Sequence, residues 1–600
     1  MGRALLKPSL KATLFNQALH ITAITLRSIA ASDHKRYRRS KSMKLNYCLI
    51  ATVLLFTVTC KADFNKDIDN IFKKWNNPDS PGCAVVVVKD QKIIYKKGFG
   101  SANLEYKIPI SPKTIFPVAS VSKQFTAFAV ALLIQEGKIN IDDDIHKYLP
   151  QLPKFKNKIK IKDLVYHTDG LRDQWDLLTF AGWNLYVDPA TNNDVLKLIK
   201  MQRELNFTPG TEYLYGNTGY TLLAQIVEKV SGQKFPTYCE ENIFKPLGMT
   251  NTFINDDYKE IVSNLAYSYK KKNNRGFVKS ECNVSTYGAD NLHTNVEDMV
   301  KWSNNFYSYK VGGKKLFDLI TEPGRLNNGQ KLNYGFGLEI KEYNGINYIG
   351  HPGGEAGYNT MFITFPSKNL SIIIFANLGS INSSDLAFSL ADIFLESSIK
   401  TNNRDSSLYS SSKNPTLYKN LTGYYYSKKA GTDLKISTQN KRLYVELMGK
   451  KFELKNTINN EFVVALFPTV NLKFSKEGNT YSLLYQNNLE DLSFTLDKVN
   501  KDNLTIDNLY KYKGSYICPE LNVTFDIDFS NDKLVMLRPR FVKSSLTPIF
   551  KDSFKASNGF MRFPYGVKFI RDRKDKIIGF NISTSIVTNR VRNLFFKRIN

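Results

Sequence analysis

From Leu417 onward the chain carries one pattern twice, at a spacing of about ninety residues. Leu417-Tyr-Lys-Asn-Leu-Thr-Gly423-Tyr-Tyr aligns with Leu509-Tyr-Lys-Tyr-Lys-Gly514-Ser-Tyr, Leu434-Lys-Ile and Leu443-Tyr-Val with Phe525-Asp-Ile and Leu534-Val-Met, and Leu472-Lys-Phe with Val567-Lys-Phe. Within each copy, aromatic and aliphatic residues alternate with polar ones between short charged turns, which is the period of antiparallel strands buried on one face. The repeat therefore predicts two small all-β modules, lipocalin-like or sandwich, at 417–500 and 505–600. Ahead of them the aperiodic polar run at 401–416 reads as a linker. Two roles stay open for the modules: a packing or substrate-gating attachment, and a binding module for cell-wall or surface polymer.

A chain of 600 residues is too long for one core, so the modules accompany a further domain. In that upstream part, Ser120-Val-Ser-Lys123 opens an apolar helical stretch. A serine one helical turn before a lysine shares its face, so the amine can sit beside the hydroxyl and ease its deprotonation. Serine and lysine are abundant here and S-x-x-K matches arise by chance, so the motif takes its weight from two others that follow in order. Tyr215-Gly216-Asn217 lies on a loop just before the helical run Thr221–Val230, where a phenol and an amide can face one cleft as proton shuttle and substrate anchor. His351-Pro352-Gly353, followed by Gly354, ends the strand-like run that starts at Ile346. Glycines at a strand edge let backbone N–H groups approach a substrate carbonyl.

With these three motifs the chain resembles the serine β-lactamase and penicillin-recognising enzyme superfamily, in the branch of class C β-lactamases, D-alanyl-D-alanine carboxypeptidases and related esterases. Flanking text shares the likeness: Ser80-Pro-Gly-Cys-Ala-Val-Val-Val-Val-Lys-Asp as a first strand, Gln91–Gly100 as a second, the segment Leu132–Pro150, Val165–Leu171 and Asn295–Trp302. The resemblance implies an α/β (α+β) domain at 63–400, with an antiparallel sheet covered by helices and an inserted helical lobe. It implies that Ser120 attacks a carbonyl to form an acyl-enzyme and that Lys123 and Tyr215 share the proton work. It further implies that Asn217, His351 and Gly353 contact substrate, and that the backbone N–H groups of Ser120 and Gly354 form the oxyanion hole. Many superfamily members carry a lysine where His351 stands, a permanent cation that a histidine of ordinary pKa does not replace at neutral pH. Arg172 and Lys341 are candidates to compensate. His167, in Tyr166-His-Thr-Asp169-Gly, reads as a packing residue, and Asp169 stands where relatives usually have serine.

No H-E-x-x-H or paired-cysteine spacing is present, so neither metal nor cofactor is expected. The net charge of +28 is spread over lysines without an arginine-rich cluster, which argues against a nucleic-acid partner and for a solvated basic surface. At the N-terminus, Met43 starts a short basic region, Tyr47–Val58 supplies an apolar core, and Cys60-Lys-Ala62 offers a cleavage site, so 43–62 reads as a signal peptide. Residues 1–42, basic and nearly free of acids, read as an over-extended start or a presequence. Thr57-Val-Thr-Cys60 also resembles a lipoprotein box, which leaves membrane association through a lipid anchor open. Cys83, in a run of small apolar residues, reads as a buried small hydrophobe. The expectation is an exported serine hydrolase, periplasmic, secreted or envelope-associated, that cleaves an amide or ester of a small or peptide substrate, including cell-wall-derived ones. A true β-lactamase and a catalytically silent envelope-binding protein are the alternatives.

Overall fold

The computed structural model describes residues 64–395 and 415–599, less the short stretches 274–275, 458–460, 479, 489–491, 502–505, 532, 558–560 and 562. The expected presequence, signal peptide and Cys60, and residues 401–414 of the expected 401–416 linker, lie outside the described residues; its last two residues open the helix Pro415–Leu421.

The catalytic-domain candidate is built on six antiparallel strands: β1 (Cys83–Lys89), β2 (Lys92–Phe99), β3 (Glu339–Tyr343), β4 (Ile346–Glu355), β5 (Tyr358–Phe365) and β6 (Leu370–Ala376). Their order is β3-β4-β5-β6-β1-β2, so the first and last strands of this domain in chain order pair with each other, β6 with β1. The unbroken apolar run of β1 follows from burial on both faces. Ala84, Val86 and Val88 face the helical lobe, while Cys83, Val85 and Val87 face a second core formed with residues 64–72 and the late helix Ser383–Phe394. Cys83 is fully buried and its thiol is pushed up by that burial, as expected of a small hydrophobe.

Four helices of the lobe matter for the site: α1 (Lys123–Gln135), α2 (Gln174–Phe180), α3 (Thr218–Ser231) and α4 (Val296–Ser308). A helix apolar all round must be enclosed. Every residue of α1 from Lys123 to Ala131 is buried, with Trp302 of α4 packed on Phe125 and Phe128 at ring-centroid distances of 4.4 and 5.1 Å. The nucleophile motif therefore starts at the N-terminus of the domain's innermost helix.

The tail forms two closed eight-stranded antiparallel barrels, Gly423–Val499 and Gly514–Arg598. Closure removes the sheet edges that a sandwich would leave exposed. The aligned triplets occupy equivalent second, third and sixth strands. The repeat extends to detail: the first-strand tyrosines Tyr425 and Tyr516 each donate to the carbonyl four residues back, Leu421 at 2.9 Å and Tyr512 at 2.8 Å. The barrel interiors are filled by side chains such as Tyr425, Phe462, Leu472 and Leu496 in the first and Tyr516, Phe525, Phe569 and Phe596 in the second.

The second barrel docks on the helical lobe. Arg172, 2% exposed, pairs with Glu520 at 2.7 Å, and the same carboxylate accepts from the Arg203 N–H at 2.7 Å. Phe180 meets Tyr565 edge-on, and Arg538 donates to the Thr179 carbonyl. Between its last two strands, Ile577–Ser583 and Leu594–Arg598, a tongue leaves the barrel. Its neck is closed by Thr584 N–H on the Val591 carbonyl at 2.9 Å and Val591 N–H on Thr584 Oγ1 at 3.0 Å. Ile586 enters the core that the first barrel shares with Leu214, and Asn589 Nδ2 donates to the Ala430 carbonyl at 2.9 Å. The tongue is thus wedged between all three parts of the molecule.

Candidate active site

Ser120 sits in a short 3-10 turn, Ala119–Ser122, that runs directly into α1. Ala119 is held at φ +48, a region alanine seldom adopts, so the backbone reverses just before Ser120. Three bonds fasten this turn. Ser122 Oγ donates to the Ala119 carbonyl at 2.5 Å and accepts the Leu292 N–H at 3.0 Å, while Thr360 Oγ1 of β5 donates to the Val118 carbonyl at 2.9 Å. A nucleophile carried this way is positioned before substrate arrives.

Lys123 Nζ lies 3.1 Å from Ser120 Oγ and donates to Asn217 Oδ1 at 2.9 Å and the Ala289 carbonyl at 3.0 Å. The side chain is fully buried, and burial pushes its pKa down to about 7, against the opposing pull of Asp290 and Asp173. An amine that loses its proton near neutrality can accept one from serine, which an ordinary lysine cannot. Asn217 caps the N-terminal end of α3, and Asp173 fixes its amide by accepting from both its N–H and its Nδ2 at 2.8 Å. Asp173 also caps α2 through the Trp175 N–H at 3.0 Å. Asn217 thus orients Lys123 with its oxygen and spends one amide hydrogen on Asp173; one remains for a substrate carbonyl.

Tyr215 borders the same space, with Lys123 Nζ 4.9 Å from its ring centroid. Behind it His167 packs among Tyr215, Tyr220 and Tyr334 at centroid distances of 4.5, 5.0 and 4.8 Å. Its Nδ1 accepts the Gly216 N–H at 3.3 Å, and burial with the nearby Lys123 charge keeps the ring neutral, so His167 braces the tyrosine loop as a packing residue.

The third motif is divided by the pleat of β4, which continues through it to Glu355. Successive residues of a strand face opposite sides. His351 packs beside Tyr215, ring centroids 5.8 Å apart, and Gly353 lies against the nucleophile turn. His351 is 2% exposed, its Nε2 is bonded to the Tyr334 hydroxyl at 3.0 Å, and its pKa is lowered to about 3 by burial. Gly353 is a glycine for space: a Cβ there would stand 2.3 Å from the Val118 carbonyl and 2.2 Å from Thr360 Oγ1. Gly353→Ala should therefore push the nucleophile turn off β4 and cost about 10²-fold in kcat/KM with little loss of secondary structure; parallel kinetics and circular dichroism would check this. Gly354 does face the cleft. β3 stops pairing at Gly350, so among the described residues no strand pairs with the outer edge of β4 at Gly354. In the alternation counted from the hairpin-closing pair Glu355–Tyr358, the Gly354 N–H turns to that open edge.

Ser120, Tyr215, Asn217, Asp290, Gly354 and Glu355 line a cleft of about 630 Å³. Asp176 and Trp175 of α2 and Thr584, Ser585, Thr588 and Arg590 of the tongue also line it. The Arg590 guanidinium lies 5.3 Å from the Tyr215 ring centroid. Burial raises the carboxyls of Asp176, Asp290 and Glu355 toward or above neutrality. Neither candidate compensating cation reaches this space: Arg172 is committed to Glu520, and Lys341 pairs with Glu339 at 3.1 Å. Sequence reasoning missed Asp173, Asp290, Glu355 and Arg590. Asp290 lies in Ala289–His293, where the sequence departs from a more glycine-rich family stretch, whereas Arg590 had no signal in its neighbours. Among the described residues no group of three or more His, Cys, Asp or Glu is placed to hold a metal ion.

An all-antiparallel sheet flanked by helices, with a serine and a buried lysine in hydrogen-bond contact at the head of the central helix, defines a serine hydrolase of the β-lactamase type. The chain belongs to the Beta-lactamase family, whose model matches residues 68–387. It is similar to Penicillin-binding protein 4* of Bacillus subtilis (strain 168), 27% identical over 451 residues that cover 72% of this chain and 98% of the relative. It is also similar to a D-aminopeptidase of Gluconobacter oxydans (strain 621H), 28% identical over 297 residues, 50% of this chain and 56% of the relative. Of solved structures, the octameric penicillin-binding protein homologue from Pyrococcus abyssi matches 73% of this chain and 99% of its own length, with TM-score 0.51 and 20% identity, a likeness of fold.

Proposed function

We infer that this chain hydrolyses a short peptide or amide through a Ser120 acyl-enzyme, with a substrate that carries a free amine close to the scissile carbonyl. The contact of Ser120 Oγ with the buried, readily neutralised Lys123 carries this reading. Lys123, with Tyr215, takes the serine proton as Oγ attacks; the N–H groups of Ser120 and Gly354 hold the oxyanion; the proton passes to the departing amine; and water then clears the acyl group by the reverse relay. Asp176, Asp290 and Glu355 line the cleft and offer carboxyl groups to an ammonium. The buried, neutral His351 gives a substrate carboxylate no partner. The similarity to D-aminopeptidases supports an amine-bearing D-residue as the acyl part. The sequence at 43–62 supports an exported enzyme; the mature N-terminus, read by protein sequencing, should then be Asp63, and retention of Met43 would reject export.

The substrate test compares D-alanine p-nitroanilide, its N-acetyl derivative and the L-enantiomer with wild type and Ser120→Ala. The free-amine D-substrate should be turned over fastest, by at least about 10-fold, and Ser120→Ala should be inactive on all. Faster turnover of the acetylated compound would reject the amine preference, and activity in Ser120→Ala would reject the nucleophile.

A further inference from the structure

We propose that Arg590 of the C-terminal barrel is an electrostatic positioning residue for the proton relay, a cation that keeps Tyr215 and Lys123 ready to accept the Ser120 proton. The inference rests on the relay assigned above. Relay groups that must work deprotonated need nearby positive charge, and the third motif supplies none, because His351 is buried against Tyr334. The guanidinium stands 5.3 Å from the centroid of the Tyr215 ring, and Lys123 Nζ stands 4.9 Å from it. A cation there favours phenolate over phenol and free amine over ammonium.

The tongue is built to hold that charge in place. Its anchoring on the lobe uses the Arg590 main chain: the carbonyl accepts from the Asp173 N–H at 3.2 Å and from Asn206 Nδ2 at 2.9 Å. Arg592, two residues on, is buried in an ion pair with Glu212 at 3.0 Å, and its N–H donates to Asn206 Oδ1 at 2.8 Å. Asp173 thus bonds the Arg590 carbonyl through its N–H and Asn217 through its carboxylate, so the tongue is registered against the relay through one residue. The Arg590 side chain can be altered while this anchorage stays.

Other charges also face the relay. Asp290, Asp173 and Glu355 favour a protonated Lys123, Arg590 opposes them, and His167 and His351 stand neutral behind Tyr215. Asp176 faces Arg590 itself. Removing the guanidinium leaves the acids unopposed, so the proton is held more tightly and the acid limb of the rate profile moves to higher pH.

The experiment is the pH dependence of kcat/KM on a neutral chromogenic ester, for wild type, Arg590→Met, Arg590→Gln and Arg590→Lys in the full-length protein, with Ser120→Ala as control. The Met and Gln variants should raise the acid-limb pKa by about half a unit to one unit, ~3- to 10-fold in rate on the acid side, and converge on wild type at alkaline pH. Lysine should restore the profile. A limb unmoved in both Met and Gln variants overturns the proposal, as does a pH-independent loss, which would assign Arg590 to substrate contact or tongue structure. If Ser120→Ala keeps activity, the relay itself is wrong; if Ser120→Ala is inactive and the limb stays, only the role of Arg590 fails.

Discussion

Lys123→Met is expected to lower kcat/KM on an activated ester by about 10³- to 10⁴-fold, at the upper end for a single acid–base group, while the protein stays folded. Methionine matches the apolar stem that α1 buries and removes only the amine. That amine holds Ser120 Oγ, Asn217 Oδ1 and the Ala289 carbonyl together, so its loss takes away the proton acceptor and the point where the first two motifs meet. The wild-type profile should carry an acid limb near the lysine's displaced pKa of about 7. Below that pH Lys123 keeps its proton and cannot take another, so activity falls on acidification. In Lys123→Met the residual rate should have lost this limb. Rates within about 10-fold of wild type, or an unchanged limb, would show that Tyr215 alone is the base.

The largest effect on stability is expected at the seam between the lobe and the second barrel. Glu520→Ala strands Arg172, a guanidinium 2% exposed whose partner sits 2.7 Å away, and also releases the Arg203 N–H. Removing one member of a buried ion pair leaves an uncompensated charge and costs about 3–5 kcal/mol. Urea unfolding monitored by tryptophan fluorescence should show this loss. Because the same barrel carries the tongue, activity should decline at denaturant concentrations below the main transition. The double variant Arg172→Met/Glu520→Leu should recover most of the stability, since two apolar side chains of similar size leave no charge behind. Equal stability of Glu520→Ala and wild type would mean that the seam is wet and weak.

What the sequence made legible was local in period or spacing. The S-x-x-K spacing put Ser120 and Lys123 on one helical face, and the two-residue alternation in the tail placed the repeated triplets in matching strands. Barrel closure depends on pairing the first strand of each module with its eighth, Gly423–Ser427 with Leu492–Val499 in the first, and no short window contains both. In the third motif Gly354 lines the cleft, while His351 bonds Tyr334 and Gly353 packs on the nucleophile turn, and the motif alone carries no sign of that division. Arg590 was least legible, because its place follows from the docking of a whole domain whose seam residues, Glu520 and Arg592, resemble ordinary surface charges until both sides are present. The polar groups that complete a site are often those whose partners are most distant in sequence, since they must be buried, and burial of a charge requires a partner brought by tertiary structure.

The structure also places part of the C-terminal modules in the lining of the candidate site. A wall of the cleft is tongue, and Asp173 bonds tongue and relay at once, so the attachment is part of the site's construction. The first barrel supports the tongue through Ala430 and the Lys429–Glu212 pair at 3.0 Å.

The central claim is that Ser120 carries the acyl group. The most direct measurement is intact-protein and peptide mass spectrometry after acid quenching of the enzyme with a slowly released acyl donor, either a β-lactam or an activated ester. The account predicts one added acyl mass, mapped to the peptide that contains Ser120 and absent from Ser120→Ala. Turnover without an adduct on that peptide, or an adduct on another residue that survives in Ser120→Ala, would contradict it.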